Sequence, residues 1–220
     1  MIKEPKAFLF DLNGTMIDDM DYHIIAWYNI LNGLGANLSM EQMKQECYGK
    51  NDELIERIFP NRFSVEEKNV MSLEKEKTYQ NKFRPNLKLI NGLEDFIRHY
   101  RNRGVKMAIG SAAIMFNIDF VLDGLNIRSC FDALISADDV DLSKPHPETY
   151  LKAAEALDVL PEDCLVFEDN PKGVEAARNA AMKAVVITTM HRPGEFAAYD
   201  NIIAFKSDFT GLHLNDSVSL

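Results

Sequence analysis

Five short apolar runs, at residues 7–10, 105–109, 133–135, 164–167 and 184–187, constrain this chain more than any other feature of its sequence. Each is three to five residues long and closed by charged or turn-forming residues, the pattern of a strand buried on both faces. Between them, residues 93–103, 117–125, 147–157 and 171–181 carry apolar side chains at helical spacing, several ending near a glycine or another small residue. Strand and helix in alternation predict an α/β fold, a doubly wound parallel sheet with helices on both faces.

One segment breaks the alternation. From residue 18 to 84 there are helical patterns at 22–34, 40–47, 52–58 and 65–82, punctuated by Gly35, Gly49 and Pro60, and no run that reads as a strand. Four helices are too much for a simple crossover between the first two strands. The spacing predicts an inserted all-helical cap over residues 17–84, bounded by Gly14-Thr15 and Arg84-Pro85, with residues 1–16 and 85–220 forming the core domain.

Charge narrows the partners. With 34 Asp and Glu against 24 Lys and Arg, a formal charge of −10 repels polyanions, so neither nucleic acid nor an anionic membrane is an expected partner. A small anionic substrate stays compatible, because local positive groups decide its binding. Glu4 and Pro5 interrupt any signal-like apolar region near the start and no window approaches a spanning length, so a cytoplasmic location is expected. Cys47, Cys130 and Cys164 are odd in number and in no metal-ligand spacing, and read as reduced thiols. Oligomeric state leaves no trace in the sequence.

In open parallel sheets, ligands bind beyond the carboxyl ends of the strands, so the polar residues after each run are the candidates for a site. The first run is followed by Asp11-Leu12-Asn13-Gly14-Thr15, the second by Gly110-Ser111, and the fourth by Glu168-Asp169-Asn170, while Lys144-Pro145 precedes a helix. An ionised Asp is a nucleophile at neutral pH without help from a base, which suits transfer of a phosphoryl group to a carboxylate. Mg²⁺ fits such a set: it prefers hard oxygen ligands and relieves the repulsion between carboxylate and phosphate. Lys144 and Ser111 would hold the remaining phosphate oxygens.

These residues resemble the haloacid dehalogenase superfamily, particularly its branch containing β-phosphoglucomutase and related sugar-phosphate phosphatases. The segment FDLNGTMIDDMDYHIIAW is similar to the family's first motif and first lid helix, IGSA to the second, SKPHPETYLKAAEAL to the third and VFEDNPKGVEAARNA to the fourth. The resemblance implies Asp11 as nucleophile and Mg²⁺ ligand, Ser111, Ala112 and Lys144 as phosphate binders, and Asp169 with Glu168 on the metal side. It also implies the main-chain carbonyl of Asn13 as a further ligand, a small phosphorylated metabolite as substrate, and a helical cap in which His23 and Trp27 match lid-helix positions.

Two departures qualify the resemblance. The family's first motif has Asp two residues after the nucleophile, to protonate the leaving group and then deprotonate the attacking water or alcohol; here that residue is Asn13, and an amide does neither. An isosteric replacement and a natural divergence both fit the sequence. The mutase Arg in the cap loop after the glycine corresponding to Gly49 is absent, leaving Lys50 as the local cation, and Ala112-Ala113-Ile114 replaces the polar residues that follow the second-motif Ser. Both changes favour a sugar-phosphate phosphatase over a phosphomutase. A phosphate-binding protein without turnover is the third reading.

Other residues have plainer explanations. His23 and Trp27, four apart on one helix face, predict packing or a lid contact. Asp18, Asp19 and Asp21 sit where helix-dipole stabilisation is a sufficient account. Asp138, Asp139 and Asp141 read as a solvated loop, and His99, His146, His191 and His213 have no ligand spacing.

Overall fold

The protein is described by a computed structural model covering residues 4–214, so the expected core-domain ends at 1–3 and 215–220 lie outside the described residues. Six strands form one parallel sheet: β1 (Ala7–Phe10), β2 (Lys106–Gly110), β3 (Ala133–Ile135), β4 (Cys164–Glu168), β5 (Lys183–Ile187) and β6 (Ile202–Lys206). Their order is β3-β2-β1-β4-β5-β6. The chain therefore winds outward from β1 through β2 to β3, then returns to β4 on the other side of β1. That reversal opens a crevice at the carboxyl ends of β1 and β4, the place where such sheets bind ligands.

The sheet is apolar on both faces because helices cover both. On one face Phe8, Phe10 and Phe167 pack with α5 (Leu93–Arg101) and α6 (Met115–Gly124), the rings of Phe10 and Phe167 stacking with centroids 4.8 Å apart. On the other, Leu9, Val166 and Val186 meet Tyr150 and Ala153 of α7 (Glu148–Ala156) and Val174 and Ala177 of α8 (Pro171–Asn179).

Between β1 and β2 the chain forms α1 (Met20–Gly33), α2 (Met40–Glu46), α3 (Asn51–Ile58) and α4 (Val65–Phe83), the inserted helical cap. It has its own core of Ile24, Trp27, Leu31, Met43, Leu54, Ile55 and Phe59. Ser39 and Ser64 start α2 and α4 through capping boxes with Gln42 and Glu67, satisfying amides that a helix start leaves unpaired.

The sequence signal underestimates the sheet by one strand. The edge strand β6 carries an apolar run of its own, Ile202-Ile203-Ala204-Phe205, but no helical pattern leads into it from β5, so the alternation of strand and helix does not mark it. The second strand runs one residue later than its apolar run, to Gly110.

Candidate active site

The crevice collects side chains from three strand ends and one loop. Asp11 follows β1, Ser111 follows β2, Glu168 ends β4 with Asp169 next to it, and Lys144 reaches in from the loop before α7; all five are buried. The Nζ of Lys144 donates to Oδ1 of Asp11 and to Oε1 of Glu168, each at 2.7 Å. The Tyr150 hydroxyl donates to the same Oε1 at 2.7 Å, and the backbone amides of Asp169 and Asn170 donate to Oε2 at 3.0 and 3.1 Å. Glu168 is thus occupied on both oxygens, while Asp169 receives only a long bond from the Thr15 hydroxyl, 3.4 Å.

Carboxylate oxygens of Asp11, Glu168 and Asp169 lie within 4.8 Å of one another. Burial, then the negative charge of Glu168, push Asp11 up to about 7. Burial, Glu168 and Asp11 push Asp169 well above the usual carboxylate range. Burial alone would lower Lys144, but the carboxylates of Asp11 and Glu168 outweigh it and raise the ammonium. One ammonium against three buried carboxylates leaves the cluster short of positive charge, and its free donors are hard oxygens. These residues fit a divalent cation such as Mg²⁺, with Asp169 and the second oxygen of Asp11 available to it.

Glycines let this set close. Gly14 (φ +79°) turns the loop after β1 so tightly that a Cβ there would lie 2.2 Å from Oδ2 of Asp169. Thr189, in the loop after β5, fixes the same turn by donating its hydroxyl to the Gly14 carbonyl at 2.7 Å.

The cap closes the crevice into a cavity of about 110 Å³ lined on the core side by Asp11, Asn13, Ser111, Ala112, Lys144, Glu168 and Asp169, and on the cap side by His23, Trp27, Asn51, Lys75 and Glu76. The cap is held over it by buried polar contacts: Asn117 of α6 donates to Glu76 Oε2 at 2.5 Å and accepts from Gln80 at 2.8 Å. Glu76 also accepts from Asn51 at 2.7 Å and Lys75 at 2.9 Å. Burial opposes its charge, but Lys75, His23 and these donors together lower its carboxyl to about 2.

Most of the sequence candidates therefore meet in one cavity. Lys50 does not: its Nζ donates to the carbonyl of Val140 at 2.9 Å, away from the cavity lining, because the core loop offers an unpaired carbonyl within its reach. His23 and Trp27 pack in the cap and also line the cavity, Trp27 belonging to the cap core. Cys47 lines it too, with burial pushing the thiol up to about 11, so it is not a nucleophile at neutral pH.

Asp19 departs from its helix-dipole reading. Although it precedes α1, its carboxylate makes no capping bond to that helix and turns back to the loop after β1. Sequence reasoning also misses Tyr150, Lys75 and Glu76 as members or neighbours of the site; the only local signal was the inward helical phase of Tyr150.

Among the described residues no helix is long and apolar enough to cross a membrane. The sequence matches the haloacid dehalogenase-like hydrolase family over residues 8–187. It is 28% identical over 185 residues to a fructose-1-phosphate phosphatase of Escherichia coli, covering 84% of this chain and 97% of the relative. It is 29% identical over 188 residues to the β-phosphoglucomutase of Bacillus subtilis, covering 82% of each. The crystal structure of a β-phosphoglucomutase from Clostridium difficile superposes with a TM-score of 0.83 at 26% identity, over 96% of this chain and 94% of that one.

Proposed function

The chain belongs to the haloacid dehalogenase-like hydrolases, in the part of that family that holds sugar phosphatases and phosphomutases, and from that premise we propose that it is a Mg²⁺-dependent phosphatase of a small phosphorylated metabolite, a sugar phosphate in class. The observation that carries this reading is the Lys144 ammonium, 2.7 Å from Asp11 at the base of a cavity closed by the cap.

Asp11 is the nucleophile. A carboxylate oxygen forms a bond to phosphorus while the bond from phosphorus to the substrate oxygen breaks, giving an aspartyl phosphate and an alcohol whose oxygen takes its proton from solvent water; a second water then attacks phosphorus, gives its proton to solvent, releases phosphate and restores Asp11. Lys144 and Ser111, with the backbone around Ala112, hold the phosphate oxygens as charge moves onto them. A divalent cation held by Asp11, Asp169 and the main-chain carbonyl of Asn13 would offset the repulsion between nucleophile and phosphate. Glu168 acts through Lys144: its two oxygens anchor the ammonium, Tyr150 and two backbone amides rather than a ligand. The cap excludes bulk water during transfer.

A phosphatase is favoured over a mutase because a mutase must hold a second, distal phosphate. Three cap cations are already engaged: Lys50 on Val140, Arg57 on Glu46 and the carbonyl of Tyr48, and Lys75 on His23 and Glu76. A second reading, phosphate binding with little turnover, is favoured by Asn13, which cannot carry a proton between leaving group and water. General acid–base help of that kind is worth roughly 10²–10⁴ in rate.

The test is phosphate release with Mg²⁺ from a panel of hexose, pentose and alditol monophosphates, beside Asp11→Asn. Release that Asp11→Asn abolishes supports the phosphatase. Isomerised sugar phosphate without free phosphate means a mutase, and tight phosphate binding with neither product means the binding protein.

A further inference from the structure

The amide at position 13 sits against a buried carboxylate and an imidazole. Asn13 Nδ2 donates to Oδ2 of Asp19 at 2.6 Å, and Asp19 is 1% exposed. The same carboxylate receives the Gly14 backbone amide on Oδ1 at 3.2 Å and, on Oδ2, the Tyr79 hydroxyl at 2.5 Å and the His23 ring at 3.1 Å. On the other side of that ring, Lys75 Nζ lies 2.6 Å from His23 Nδ1, so the imidazole accepts there, and its Nε2 stands 3.1 Å from both Asp19 Oδ2 and Asn13 Nδ2. Asp19 is an acceptor ringed by donors, and Asn13 is one of them.

A carboxylate at position 13 would set acceptor against acceptor at this distance, with two like charges in a buried pocket. We propose that Asp19 is the positioning residue that fixes an amide at position 13, so that the carboxylate relatives use there can be installed only if Asp19 is replaced as well. The two positions form a coupled pair across the junction between the sheet and the cap, since residue 13 follows β1 and residue 19 precedes α1. Asn13 is then not a lone lesion in an otherwise ordinary site; the chain has its buried carboxylate at 19 and its amide at 13. The activity arm of the test rests on the phosphatase reading above, and the stability arm does not.

The experiment compares wild type, Asn13→Asp, Asp19→Asn and the double variant Asn13→Asp/Asp19→Asn, using thermal melting and hydrolysis of p-nitrophenyl phosphate with Mg²⁺. Asn13→Asp alone is expected to melt about 5 °C or more below wild type and to gain no turnover. The double variant is expected to recover the wild-type melting temperature and to raise kcat roughly tenfold or more, with KM unchanged; a merely structural pair would recover stability without that gain in kcat. Asp19→Asn alone keeps an acceptor for Asn13 and is expected to fold without the gain. Asn13→Asp that is as stable as wild type, or as active as the double variant, overturns the proposal, as does a double variant that melts no higher than Asn13→Asp. If none of the four hydrolyses the probe or the sugar-phosphate panel above, the phosphatase reading fails, and melting still decides the coupling.

Discussion

A Cβ placed on Gly173 would stand 1.7 Å from Oε1 of Glu168, so the first turn of α8 and the carboxylate that anchors Lys144 share space that only glycine leaves free. The neighbour is a buried, four-partner carboxylate and cannot swing aside without releasing Lys144 and Tyr150. Gly173→Ala is therefore expected to cost about 1–3 kcal/mol of stability by overpacking and to lower phosphate release in the same protein. Urea denaturation and initial rates measured together check this; a stable variant with wild-type rates would mean that Glu168 does not set Lys144.

Removing the ammonium has the opposite geometric effect, since it leaves space but strips the carboxylates of their counter-charge. Lys144→Ala should abolish turnover and, without added metal, lose about 3–5 kcal/mol, the range for breaking a buried ion pair on one side. Millimolar Mg²⁺ should return part of that loss by supplying positive charge to Asp11. Equal denaturation midpoints for wild type and variant in EDTA would contradict the ion-pair account.

Proton release should accompany metal binding. Burial and Glu168 raise Asp11 to about 7, and burial with the charges of Glu168 and Asp11 raises Asp169 well above the usual carboxylate range, so a cation that binds this pair competes with protons. The sign follows: affinity for Mg²⁺ should increase as pH rises through about 7, as the competing protons leave. Titration calorimetry in two buffers of different ionisation enthalpy reads the released protons directly. Heats that do not depend on the buffer would count against a carboxylate-ligated ion here.

Glu76 should make the closed cap sensitive to acid. Its carboxyl, lowered from 4.5 to about 2, contributes stability that is complete above pH 4.5 and lost as pH falls through about 2. The contribution is on the order of 3 kcal/mol. Glu76→Gln keeps the shape but turns an amide donor toward Asn117 or Lys75, so it is expected to melt lower than wild type at neutral pH, with the gap closing on acidification. A gap independent of pH would show that the carboxylate's charge contributes nothing.

The sheet was legible because its four inner strands are buried on both faces and read as unbroken apolar runs, with the short edge strand β3 apolar as well, and the cap because no such run interrupts residues 18–84. Asp11, Ser111, Lys144, Glu168 and Asp169 could be named because each sits next to one of those runs or in a motif of recognisable spacing. Asp19 could not. Its partners Tyr79 and His23 come from two different helices, and in the sequence it is one acid in a run of three that a helix start explains as well. Lys50 misled for the complementary reason: a cation beside a cap glycine looks available until the fold brings the Val140 carbonyl to it. β6 escaped although residues 202–205 are apolar, because no α-helix leads into it from β5 and the alternation that marks the other strands stops at residue 187.

The position of β1 between β2 and β4 has a consequence for how the protein is made. In the order of synthesis Asp11 precedes the whole cap, and one neighbour of its strand, β4, is not complete until Glu168. Until then the chain carries a cap with no finished site to close upon, and an apolar first strand paired on one side only. The pocket around Asp11 can therefore assemble only once Glu168 and Asp169 exist, so β1 stays without its second neighbour until β4 arrives.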